Sequence, residues 1–201
     1  MRITINGSSG SGKSTLARRL AKEFGLKHIE LDAINWQPGW IDLNSTDRPE
    51  FLRRTQAAVA DEAWVVDGNY SSVQWAIRDR ATDVVWLNYP RWLVMSRVLR
   101  RSFVRAISGR ELWAGTGNTE TFTRWLDKEH PIRWAWDTYH SQVARYEALF
   151  ADPALSHLRI HRLRHPREVE GLIARLKAVA AAAPSTASRS PSPRGGGIEP
   201  S

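Results

Sequence analysis

The stretch GSSGSGKST, residues 7–15, combines small side chains, one amine and two adjacent hydroxyls in the spacing G-x-x-x-x-G-K-[ST] from Gly7 to Ser14. A chain so free of bulk can turn its backbone N–H groups inward around a phosphate. Gly7, Ser8, Ser9, Gly10, Ser11 and Gly12 allow that close approach. Lys13 supplies charge to β- and γ-phosphate oxygens, the Ser14 hydroxyl suits a magnesium ion, and amides from Gly10 to Thr15 hold the phosphates. A serine-glycine linker of similar composition would not lie directly between two core-forming segments.

Four more residues have types and positions suited to the same chemistry. Asp67 ends the apolar run WVVD and Asp32 ends IELD, which places both at the carboxyl ends of predicted strands, where open parallel sheets bind ligands. Asp67 suits holding magnesium through water, although an acid there also serves as a cap. Asp32 suits taking a proton from an acceptor hydroxyl, and it suits a turn equally well. Arg97 and Arg101 lie four apart on one predicted helix, and no acid occurs between Val84 and Arg110 to neutralise them. They form either a phosphoryl-stabilising pair or a solvated basic face. Trp36 and Trp40 flank PG beside Asp32, offering flat surfaces to a base or a sugar, or simply core.

A loop of this kind binds ATP or GTP. The chain has no N-K-x-D stretch, the usual guanine reader, so ATP with magnesium is the expected pair. Positioning these groups requires alternating elements. A strand over RITIN leads through the glycine loop to a helix, followed by KHIELD, a helix near 48–62 opened by Thr46 or Asp47, and WVVD. A short helix at 72–80, the strand DVVWLNY, a long helix from Pro90 to about Gly109, two helices divided by Pro131, the strand LSHLRIHRL and a terminal helix complete the order. Nearly continuous apolar strands joined by helices predict a parallel sheet covered on both faces. Trp64 and Trp86 fall inside strands as core, and Trp134 and Trp136 are expected to pack the lobe between Pro131 and the last strand. His157, His161 and His165 recur every fourth residue, but on a strand and loop that spacing makes no metal face.

Composition sets wider limits. A chain of 201 residues, 42% hydrophobic, can bury one good core. Zero cysteines exclude disulfides and thiolate zinc sites, and the absence of a leader or membrane-length apolar run points to the cytoplasm. The net charge of +8 suits polyanionic ligands, whether nucleotides or nucleic acid. Residues 184–201 are too poor in apolar groups to fold and are expected to be a disordered tail.

GSSGSGKST, HIELDAINWQPGW, WVVDGNY, DVVWLNYPR and ELWAGTGNTETF together resemble the adenylate-kinase-like P-loop kinases described as topology-modulation (FlaR-related) proteins. The resemblance implies a nucleoside-monophosphate-kinase fold over residues 1–183, with a five-stranded parallel sheet in the order 2-3-1-4-5 and a helical lid at about 105–130. It implies that Arg97 and Arg101, with Arg110 and Arg124 behind them, close over the nucleotide, and that adenine stacks near Arg164. Asp67, Gly68 and Asn69 fall on the acceptor side. True adenylate kinases carry D-G-F-P-R there, and this chain lacks that arginine; Arg48, Arg53, Arg78 or Arg80 could replace it, with Arg78 the expected acceptor contact. Two functions follow: a kinase moving the γ-phosphoryl group of ATP to a nucleotide, nucleoside or similar polar acceptor, or a nucleic-acid-associated ATPase or DNA-binding module. Monomer or oligomer is open, with a monomer expected.

Overall fold

The computed structural model describes residues 1–109, 111–113, 115–119 and 131–182. Arg110, Arg124, half of the expected lid and the expected tail lie outside the described residues. In chain order come β1 (Arg2–Gly7), α1 (Lys13–Phe24), β2 (Lys27–Glu30), α2 (Leu31–Asn35), a hairpin of β3 (Trp36–Gln37) and β4 (Ile41–Asp42), α3 (Leu43–Thr46) and α4 (Arg48–Ala58). Then follow β5 (Trp64–Asp67), α5 (Gln74–Arg78), β6 (Asp83–Leu87), α6 (Arg91–Ser108), α7 (Pro131–Phe150), β7 (Arg159–Leu163) and α8 (Val169–Ala182).

Five strands form one parallel sheet in the order β2-β5-β1-β6-β7, which among those five alone is the order 2-3-1-4-5 read from the sequence. Every residue of β5 and β6 is buried, as expected for strands covered on both faces. On one face Ile3, Ile5, Leu87 and Leu163 pack against Leu16 and Leu20 of α1 and Leu172 and Leu176 of α8. On the other, Trp64, Val66 and Val84 pack against Phe51 of α4 and Ile77 of α5. The helix boundaries follow local chemistry. Asp47 accepts from Glu50 N at 3.1 Å to open α4, and Gly109 ends α6 with its N–H on Arg105 O.

Three expectations change. The strand KHIELD stops at Glu30, so Asp32 sits in the first turn of α2 and does not end a strand. NWQPGW, which carried no regular element in the sequence reading, forms the β3–β4 hairpin, with Trp36 opposite Asp42. Trp134 and Trp136 are about half exposed; the Arg91 guanidinium stacks on Trp136 at 3.6 Å, so they do not pack a lobe as core.

The carboxylate of Asp83 is fully buried where β6 begins, beside β7. Arg159 donates to both its oxygens at 2.9 and 2.7 Å, His161 Nε2 lies 3.0 Å away, and the Thr82 hydroxyl donates at 2.7 Å. Burial pushes this carboxyl up, but the bonds from His161, Arg159 and Thr82 prevail and hold it well below the usual carboxylate range. A depressed carboxyl contributes stability that is complete above its unfolded value of about 4 and is lost as pH falls further. Urea midpoints between pH 2 and pH 6 should therefore fall steeply with acid in the native chain and less steeply in Asp83→Asn. Parallel curves would remove Asp83 from the acid response.

Candidate functional site

The loop between β1 and α1 is shaped from below. A Cβ at Gly7, where φ is +147°, would meet Leu87 O at 2.8 Å, and one at Gly10, where φ is +80°, would meet Val98 Cγ2 at 2.5 Å. Any larger residue would push the loop off β6 and α6. The first bond of the α1 ladder runs from Leu16 N to Gly12 O, so the amides of Lys13, Ser14 and Thr15 lie outside it. Ser11 Oγ is buried and has no hydrogen-bond partner among the described residues. Lys13 Nζ donates to Gly7 O and Ser8 O, both at 3.0 Å, which aims the amine across the loop. Burial pulls Lys13 down to about 8, against Asp32 and Asp67, which favour its charge, and with Arg101, which opposes it. Free amides, an orphan hydroxyl and a desolvated amine fit a polyphosphate, and Ser14 and Asp67 provide oxygens suited to its magnesium ion.

Asp67 is 3% exposed and its Oδ1 lies 2.9 Å from His28 Nε2. Asn69 Nδ2 donates to Gly7 O, tying the end of β5 to the loop, and Gly68 is buried between them. Asp32 Oδ1 accepts from the Tyr70 hydroxyl at 2.7 Å. Burial, with Asp32 adding, pushes the Tyr70 phenol up, so it stays a donor. Across the loop, Arg97 donates to Ser11 O at 3.1 Å and Arg101 to Ser9 Oγ at 3.2 Å. The four-residue spacing on α6 thus brings both guanidinium groups against the loop.

Trp36 and Trp40 sit on the hairpin and meet Trp113 of the segment 111–119. Asn118 fixes that contact, accepting from Trp40 N and donating to Gln37 O, each at 3.0 Å. Trp113 Nε1 donates to Glu30 Oε1 at 3.3 Å. Glu30 is raised, first by burial and then by the charge of Asp67.

Two candidates are not brought to this place. Arg78 ends α5, next to the chain that re-enters the sheet at β6, and its electrostatic neighbours are Arg145 and Tyr146 of α7. A helix that leaves the carboxyl edge at Asp67 finishes at the opposite edge, so Arg78 cannot stand beside Asp32. Arg164 follows β7 at the carboxyl edge, with its N–H toward Glu168, and touches no loop residue among the described contacts. Sequence reasoning missed His28, Glu30, Tyr70 and Trp113. Strand alternation was the available signal for two of them, since His28 and Glu30 share one face of β2 and Glu30 pairs with Asp67.

This architecture, a phosphate loop after the central strand of a 2-3-1-4-5 parallel sheet, is the P-loop kinase fold. A shikimate kinase from Acinetobacter baumannii, solved in complex with shikimate, has the same fold with a TM-score of 0.51 and 18% identity, covering 90% of this chain and 92% of that one. A cytidylate kinase of Aeropyrum pernix is 30% identical over 118 residues, 50% of this chain and 64% of its own. A cytidylate kinase of Thermococcus kodakarensis is 28% identical over 134 residues, 61% of this chain and 66% of its own. The chain thus spans about two-thirds of the length of the curated relatives it matches. No protein-family model matches it. The chain is thus similar in part of its sequence to cytidylate kinases and in fold to P-loop kinases. Among the described residues no helix is long and apolar enough to cross a membrane.

Proposed function

We propose that this chain is an ATP-dependent phosphotransferase that moves the γ-phosphoryl group to a small-molecule acceptor. The observation that supports the reading best is that Asp32, Asp67 and Arg101 all act on the Lys13 amine while Arg97 and Arg101 bond to the loop that carries it. Lys13 and the loop amides hold the triphosphate, and Ser14 and Asp67 hold magnesium, which neutralises phosphate charge. Arg97 and Arg101 meet the negative charge that spreads over the moving phosphoryl oxygens. Asp32 accepts the proton of an acceptor hydroxyl, and Tyr70 holds its carboxylate in place. Residues 1–183 act as the catalytic unit, in the cytoplasm.

The topology-modulation resemblance gives no residue a role on nucleic acid, while two arginines of the basic helix are engaged by the phosphate loop. Calorimetric titration of the full chain with magnesium-ATP tests the reading together with ADP release. One binding site and ADP release that rises when an acceptor is added are expected. Absence of ATP binding, or salt-sensitive DNA binding with no nucleotide turnover, would remove it.

A further inference from the structure

The acceptor side of the site has a charge pattern that the phosphate loop does not explain. Glu30, Asp32 and Asp67 stand close enough that Asp67 and Asp32 both act on Glu30, and both act on Lys13. The guanidinium groups of the neighbouring helices are engaged elsewhere. Arg53 is held by Glu50 at 2.6 and 2.8 Å, and Arg54 by Glu50 at 2.7 Å and Gln37 at 3.2 Å. Arg80 donates to Val59 O and Ala60 O at 2.8 Å, at the edge where β5 begins, and Arg48 turns back to Asn44 O. Arg78 lies beside α7. Asp32 keeps one oxygen, Oδ2, without a partner among the described residues, because Tyr70 occupies Oδ1. Trp36 adjoins Tyr70, and its half-buried ring packs with those of Trp40 and Trp113, the last of which donates to Glu30, while Asn118 ties the segment to the hairpin.

From this juxtaposition of three carboxylates, three tryptophans and diverted arginines we infer that the acceptor is an uncharged alcohol with one flat or apolar face, such as a nucleoside or a sugar, and not a phosphate or carboxylate. The inference rests on the phosphotransferase reading. A bound anion would face Glu30, Asp32 and Asp67 with no guanidinium fork among the described acceptor-side residues to receive it. An uncharged alcohol meets acceptors for its hydroxyl protons and a ring for its apolar face, and it needs the base that a phosphate does not. In the transfer the acceptor oxygen bonds to the γ-phosphorus, the bond from that phosphorus to the β–γ bridging oxygen breaks, ADP leaves, and the hydroxyl proton passes to Asp32 Oδ2. The product is a phosphate monoester. It carries the charge that the site disfavours, which assists its release.

The test uses pairs in which one member is uncharged and the other carries an anionic group: cytidine and cytidine monophosphate, ribose and ribose 5-phosphate, glucose and glucose 6-phosphate. Phosphoryl transfer from magnesium-ATP is measured for each with the full chain, and binding is followed separately through tryptophan fluorescence in the presence of a non-hydrolysable ATP analogue. At least one uncharged member should exceed its charged partner by tenfold or more in kcat/KM and in affinity. The cytidine and sugar arms separate the two sources of such an alcohol. Glu30→Gln should narrow that ratio severalfold, a change that loss of packing alone would not produce. Preference for the charged member, equal use of both, or no binding of either in every pair overturns the inference. ATP binding with transfer to cytidine monophosphate would refute this inference and leave the phosphotransferase reading standing, whereas failure to bind ATP refutes that reading itself.

Discussion

Lys13→Ala should lower phosphoryl transfer by about 10³-fold while the melting temperature stays near that of the native chain, a loss of about 4 kcal/mol in transition-state stabilisation. The amine sits in the loop and fills no core; its two bonds go to the carbonyls of Gly7 and Ser8, which water can satisfy. What disappears is a positive charge placed where phosphate charge accumulates, in surroundings dry enough to pull the amine down to about 8. Low dielectric strengthens that charge's attraction to a phosphate. Lys13→Arg should not rescue, because the longer, forked side chain cannot place a point charge between Gly7 O and Ser8 O. Turnover and thermal melting of the three proteins check this. Near-native turnover in Lys13→Ala would remove the loop from the chemistry.

Arg97→Ala and Arg101→Ala should each lower the maximal rate by about 10²-fold and change the ATP dissociation constant by less than about fivefold. Their donors meet Ser11 O and Ser9 Oγ of the loop, and in the proposed transfer they act on charge as it develops on the moving group. Arg97 has a second constraint, since its guanidinium lies 5.5 Å from the ring centre of Tyr89. That contact limits its freedom and favours preorganisation. The double variant should lose less than the product of the single losses, because both side chains serve one developing charge. Rapid-mix kinetics with ATP titrations separate rate from binding. Equal losses in both would make the two arginines ground-state ligands.

The parts legible in the sequence were those fixed by local spacing. The glycine loop, the buried strands WVVD and DVVWL and the caps at Asp47 and Gly109 follow from a few adjacent residues. Asp32 acts on Lys13 from the first turn of α2 and not from a strand end, because Leu31 continues an apolar pattern that fits strand and helix equally. Arg78 failed for a topological reason: a helix joining parallel strands ends at the far edge of the sheet, a rule that spacing alone does not apply to a given side chain. The aromatic wall depends on Trp113 meeting Trp36 across 77 positions of sequence, and the link is made by Asn118, whose type says nothing of its partner. Tyr70 was similarly silent. Its hydroxyl matters only because α2 carries Asp32 to within 2.7 Å of it.

The proposed function of this site is transfer of the terminal phosphoryl group of ATP to a small molecule. Its most direct test is to incubate the full chain with magnesium and ATP labelled at the γ-phosphorus, together with the low-molecular-weight fraction of a cell extract, and to separate the labelled products. A labelled phosphate ester distinct from ATP and inorganic phosphate is expected, formed in step with ADP and absent with Lys13→Ala. Label found only in ATP and inorganic phosphate would contradict it.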